Sequence, residues 1–165
     1  FVFAAPPSLS QEPAVPLEYQ VKAAFLLNFT RFVEWPPEVF AAPDSPVTIC
    51  IQGRDPFGST LDQIVEGETV GERKVAVERV RRAPSAGCHV LFISDPDRSP
   101  SAARVGSGHG VLTVGEGEQF VRQGGIVSFV VDNRRVRFEI NYRASTKAGI
   151  KISSRLLAIA RTVLK

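Results

Sequence analysis

The stretch Cys88-His89-Val90-Leu91-Phe92-Ile93-Ser94 constrains this chain more than any other. It is a near-continuous apolar run, short enough for a strand, with no face left for water. Such a strand has to lie inside a sheet that is covered on both sides. The elements around it fit that demand. Val47–Gly53 is β-branched, preceded by Pro46 and ended by Gly53, and reads as a strand. Asp55–Gly67 reads as a helix opened by Asp55 and Pro56 and closed by Gly67. Arg73–Val80 alternates and is a second strand, and Val111–Gly115 is another. A short helix is expected within 97–110 and a helical turn within 116–124. Two alternating runs then flank Asp132-Asn133-Arg134-Arg135, which argues for an antiparallel hairpin.

Strands that alternate with helices and finish in a hairpin predict an α/β fold. The expectation is a single domain over 17–165, with a mixed sheet of about six strands. They are mostly parallel, with the antiparallel hairpin at the edge and helices on both faces. The arrangement is Rossmann-like without the dinucleotide fingerprint. Gly106, Gly108 and Gly110 precede a strand, whereas a phosphate-binding loop follows the first strand and opens a helix. They read as a loop, and no cofactor is expected.

The segment 17–37 predicts a helix stopped by Pro36 and Pro37. Val21, Phe25, Phe29 and Phe32 recur at helical spacing, and Ala24, Leu26, Leu27, Val33 and Trp35 widen the apolar face. Lys22, Asn28, Arg31 and Glu34 are its wet positions. A helix this apolar is either sandwiched in a core or covered by a partner. Phe25 and Phe29 read as core, while Trp35 is balanced between core and interface anchor.

Composition excludes several functions. Hydrophobic residues make up 44% and charged residues 22% of 165, so a full core is available. The net charge of +3 is not gathered into a stripe, the densest run being Arg79, Arg81 and Arg82, which argues against nucleic acid. No apolar run is long enough to span a bilayer. Residues 1–16 read as an extended arm, because Pro6, Pro7, Pro13 and Pro16 forbid a helix. The arm is the tail of a signal peptide, a mature arm just after cleavage, or a trimmed cytosolic terminus.

Catalytic and metal motifs are missing. His89 and His109 lie in no ligand spacing, so no metal is expected, and His89 reads as a hydrogen-bonded core histidine. There is no GxSxG. Cys50 and Cys88 lie 38 positions apart. They form no CxxC, and spacing leaves both a disulfide and two buried thiols open. A thiol-redox enzyme built on the two cysteines is the least favoured reading.

The last segment predicts a short helix near 143–148 that ends at Gly149. A terminal amphipathic helix is expected from about Ser154, capped by Ser153 or Ser154. Its apolar face is Leu156, Ile159, Ala160 and Val163, and Arg161 and Lys165 lie at a cationic end that suits the macrodipole. Glu139 and Asn141 read as structural, holding the last strand against the terminal helices. Lys151 and Arg155 have no packing role. With Arg31 they are candidate contacts for an anionic or aromatic molecule, or for a partner.

Three stretches, "VKAAFLLNFTRFVEWP", "GGIVSFVVDNRRVRFEIN" and "AGIKISSRLLAIA", resemble the YfiR family of bacterial periplasmic proteins in order and spacing. The likeness runs from about Glu18 to Lys165. It implies export to the periplasm by a cleaved signal peptide and a disulfide between Cys50 and Cys88. A second pair found in some members is missing here. It implies a mixed sheet flanked by helices and a homodimer. The role it implies is regulatory rather than enzymatic. The protein would repress a membrane-bound diguanylate cyclase by binding its periplasmic domain, controlling cyclic di-GMP and biofilm formation. An outer-membrane lipoprotein would sequester the repressor. Under this resemblance Arg31, Trp35, Lys151 and Arg155 become the candidate binding residues.

Overall fold

The computed structural model describes residues 14–81, 87–94 and 108–165. In chain order the elements are α1 (Leu17–Phe32), β1 (Val33–Glu34), a 3-10 turn (Pro37–Val39), β2 (Val47–Gln52), α2 (Ser59–Val65), β3 (Thr69–Val70), β4 (Arg73–Val80), β5 (Val90–Ile93), β6 (Leu112–Glu116), α3 (Glu118–Arg122), β7 (Val127–Asp132), β8 (Arg135–Asn141), α4 (Tyr142–Lys147), β9 (Lys151–Ile152), α5 (Ser154–Ile159) and β10 (Thr162–Leu164).

Eight strands form one sheet in the order β10-β8-β7-β6-β5-β2-β4-β3, and β1 pairs with β9 in a separate two-stranded ladder. The strands β4, β2, β5, β6 and β7 run parallel. β7 and β8 form the expected antiparallel hairpin. Its turn residues Asn133 and Arg134 have φ of 49° and 65°, as a two-residue hairpin turn requires. The apolar run 90–93 is wholly buried, as its composition demands.

Alternation divides the core into two halves. Ile49, Ile51, Val90, Phe92, Leu112, Val114, Val127 and Phe129 join the cluster that α1 and α2 cover. Cys50, Leu91 and Ile93 face the other way, against Cys88 and Phe120 of α3. The Cys50–Cys88 disulfide lies in this second cluster, with Cα atoms 5.8 Å apart. By the chain-entropy model, closing a loop of that length contributes about 4 kcal/mol.

Four sequence expectations need correction. The helix α1 stops at Phe32, ahead of the prolines, because Val33 and Glu34 are taken into the ladder opposite Ile152 and Lys151. Lys22, expected in solvent, is 2% exposed. Its ammonium meets Glu18 at 2.7 Å and Glu116 at 2.5 Å. The terminal helix ends at Ile159, where Ala160 turns extended and the Arg161 N–H donates to Phe138 O. Thr162–Leu164 then pairs in parallel with Glu139–Asn141, so β10 rather than the hairpin forms that edge of the sheet. Arg161 and Lys165 therefore lie outside the helix and do not meet its dipole. Finally, α2 begins at Ser59, because the Asp55 carboxylate accepts the Phe57 N–H in a turn that precedes the helix.

Residues 1–13 of the expected arm, most of the helix expected within 97–110, and Gly106 lie outside the described residues.

Phe29 is fully buried, with ring centroids 5.3 Å from Phe138 and 5.8 Å from Phe129. Phe29→Ala is expected to lower the unfolding free energy by roughly 3–5 kcal/mol. Chemical denaturation of the oxidised protein checks this.

Candidate functional site

The end of α1 builds the first candidate site. The helix delivers Arg31 to the surface, and the next residues run directly into the β1–β9 ladder. The Ser153 N–H donates to Phe32 O at 2.8 Å, which locks the two segments together. Val33 and Ile152 are buried in the core cluster beneath the ladder. Arg31, Glu34 and Lys151 are exposed around it. The result is an open cleft of about 380 Å³, lined by residues 31–34 and 151–153.

The charges of this cleft are unequally committed. Arg31 pairs with Glu68 of the loop after α2. Lys151 sits opposite Glu34 in register, but no carboxylate among the described residues lies within ion-pair distance of its ammonium. In this largely polar cleft, an ammonium with no described carboxylate partner and a singly paired guanidinium suit a ligand or side chain that carries a carboxylate.

Arg31, Lys151 and Ser153 thus share one cleft, which the candidate residues Arg155 and Trp35 do not line. Arg155 is exposed in the first turn of α5, where its own N–H donates to the Ser153 hydroxyl at 3.2 Å. Ser153 is therefore the cap, and Ser154 is the first residue of the helix. Asn141 caps α4 by accepting the Ala144 N–H at 2.9 Å, and its amide donates to Val121 O at 2.8 Å. Glu139 is buried between β7 and β10, in register with Ser128 and Thr162.

Trp35 belongs to a different cluster. Its indole N–H donates to the His89 carbonyl at 2.9 Å, and the same carbonyl accepts the Leu112 N–H at 2.8 Å. The His89 ring is fully engaged. Its Nδ1 accepts the Thr48 N–H at 3.0 Å, which leaves the proton on Nε2, 3.3 Å from Val39 O. Phe40 stacks on the imidazole at 4.4 Å, and the Arg73 guanidinium lies 3.6 Å from the Phe40 ring centroid. This layered cluster fixes the loop between β1 and β2. Sequence reasoning missed Phe40 and Arg73, because nothing in their spacing marks a stack assembled across two loops.

No group of three or more His, Cys, Asp or Glu side chains among the described residues could hold a metal. No described helix is long and apolar enough to cross a membrane.

With this geometry in view, the comparisons are specific. The YfiR/HmsC-like family model matches residues 19–161. The chain belongs to that family. Its members are periplasmic and regulatory rather than catalytic. No curated protein matches the chain in sequence. Among solved structures, the chain is similar to the ABC domain in complex with L-Trp from Streptococcus pneumonia. The TM-score is 0.56 at 12% identity, over 86% of this chain and 60% of that one. At that identity the likeness is one of fold, and the chain spans less than two thirds of that protein.

The His89 cluster generates a pH prediction. Burial pushes the His89 pKa down, the Val39 hydrogen bond opposes this, and the Arg73 charge adds to the lowering. The unfolded chain therefore takes up a proton near pH 6.5 that the folded state refuses. The His89 contribution is complete above that pH and is lost as the pH falls towards the folded pKa. Stability should drop below about pH 6.5, by at most about 1.4 kcal/mol per pH unit for this single proton. Urea midpoints between neutral and mildly acid pH check this, and His89→Asn should flatten the slope.

Proposed function

We propose that this protein restrains a membrane-bound diguanylate cyclase by binding the cyclase's periplasmic domain, and so controls cyclic di-GMP and biofilm formation. The observation that carries the reading is the family match over nearly the whole described fold. The corner cleft supports it, because the Lys151 ammonium and the Arg31 guanidinium suit a carboxylate of a partner protein. In this reading the protein works by binding rather than by catalysis, after export with a cleaved signal peptide. Arg31 and Lys151 make direct contacts, and Arg155 flanks them. Trp35 acts by holding the loop beside the cleft. The protein works as a homodimer, and an outer-membrane lipoprotein competes for it. A switch of that kind needs unequal affinities for the two partners, because equal binding shifts no equilibrium.

A second reading rests on the same cleft. Its two cations also suit a small anionic molecule, which would make the protein a periplasmic sensor for another signalling partner. A saturable rise in melting temperature with such a compound, abolished by Lys151→Ala, would favour this reading.

The test is intracellular cyclic di-GMP in cells with and without the gene. The repressor reading expects a rise on deletion. It expects wild-type protein to reverse the rise, and Arg31→Glu with Lys151→Glu to fail at equal periplasmic abundance. No change on deletion contradicts it.

A further inference from the structure

A second surface, remote in sequence from the 151–153 wall of the corner cleft, is built for a macromolecule. Leu17, Val21 and Phe25 follow one another at intervals of four along α1 and so form one ridge. Opposite them stand Val131 and Val136, a cross-strand pair of the β7–β8 hairpin. Between ridge and hairpin runs a groove of about 440 Å³. Leu17 is 72% exposed and Val131 52%, which is unusual for large apolar side chains that lie together.

The hairpin wall stands clear of the sheet. β6 pairs with β7 only as far as Phe129, and β10 pairs with β8 only from Glu139 onward. Residues 130–137 therefore extend past both neighbours. Arg134 and Arg135 line the groove at the hairpin turn, and no carboxylate among the described residues lies within ion-pair distance of either. The nearby acids are committed elsewhere, Glu18 to Lys22 at 2.7 Å and Asp132 to Arg161 at 3.7 Å. Arg134 also holds a left-handed backbone position, φ 65°, that glycine fills at least cost. A guanidinium is thus presented at the tip against the preference of the backbone.

We propose that this groove docks an amphipathic helix of a partner protein whose apolar stripe is flanked by carboxylates. The ridge from Leu17 to Phe25 spans about 12 Å at 1.5 Å per residue, which matches apolar anchors spread over two turns. The two free arginines supply the complement to acidic flanks. The described residues just ahead of α1 run elsewhere. Val15 accepts a hydrogen bond from Gln20 at its carbonyl, and its side chain lies beside Gly58, at the start of α2. The inference does not depend on the cyclase reading, and its test uses no cyclase.

The probe is a fluorescent synthetic helix with leucines at i, i+3, i+4 and i+7 and flanking glutamates. A control keeps the leucines and replaces the glutamates with lysines. Anisotropy against the whole protein should show saturable binding of the acidic helix only, weakening as salt rises. Val131→Asp should abolish it, and Arg134→Glu with Arg135→Glu should weaken it at least about tenfold. Arg134→Gly provides the control for folding, because it should raise the melting temperature while weakening the helix. Equal binding of both peptides, or of neither, overturns the proposal. So does unchanged affinity in these variants. A dimer in sedimentation that Val131→Asp dissolves would assign the groove to a second copy instead. Binding to phosphatidylglycerol vesicles that the arginine variants lose would assign it to a lipid surface. Either result would also overturn the proposal.

Discussion

Packing of α1 against the β7–β8 hairpin governs the geometry of this protein. Phe25 and Phe29 meet Phe129 and Phe138 with ring centroids 5.3–6.1 Å apart, in a mixture of stacked and edge-to-face contacts. Such pairs contribute beyond the area they bury, and they restrict orientation. The helix cannot slide or roll without separating them. Its two ends are placed by that constraint. The C-terminal end delivers Arg31 to the corner cleft and feeds Val33 into the ladder with Ile152. The N-terminal end leaves Leu17 standing beside the overhanging hairpin.

Two polar clamps refine this docking. Lys22 reaches out from the middle of α1 to Glu116 at the end of β6, and Tyr19 donates its hydroxyl to the same carboxylate at 3.0 Å. The Lys22 ammonium also lies 4.5 Å from the Tyr19 ring centroid. A lysine buried this deeply is tolerated because carboxylates and an aromatic face replace its water. The second clamp is His89, which joins β2, β5, β6 and the loop carrying Trp35 and Phe40 through its backbone and both ring nitrogens. It sits next to Cys88, so the disulfide and the histidine fix the same strand end.

Much of this was legible from residue patterns. The run at 90–93 required cover on both faces, and alternation at 127–141 required a hairpin. The period of Phe25 and Phe29 required a core-facing helix. Ser153 and Gly149 marked the cap and the break near the end of the chain, and Gly149 takes its left-handed φ of 75°. What escaped was decided by tertiary pairing. Thr162–Leu164 continues a helical period, yet a free edge on β8 outweighs one more helical turn. Lys22 looks solvated by type, and only the end of β6 reveals why it is buried. At the corner cleft, Lys151 was visible as a cation without a packing role, but its meeting with Arg31 depends on a two-residue ladder too short to leave a period. The groove beside the hairpin was hidden for a similar reason, since no spacing links Leu17 to Val131.

The central claim is that the corner formed by Arg31 and Lys151 is the surface through which this protein grips the periplasmic domain of a cyclase. Calorimetric titration of that purified domain into the oxidised wild-type protein and into Arg31→Glu with Lys151→Glu tests it most directly. The account predicts saturable binding to the wild type, and loss of binding in the variant with its melting temperature unchanged. Equal binding to both proteins would contradict it.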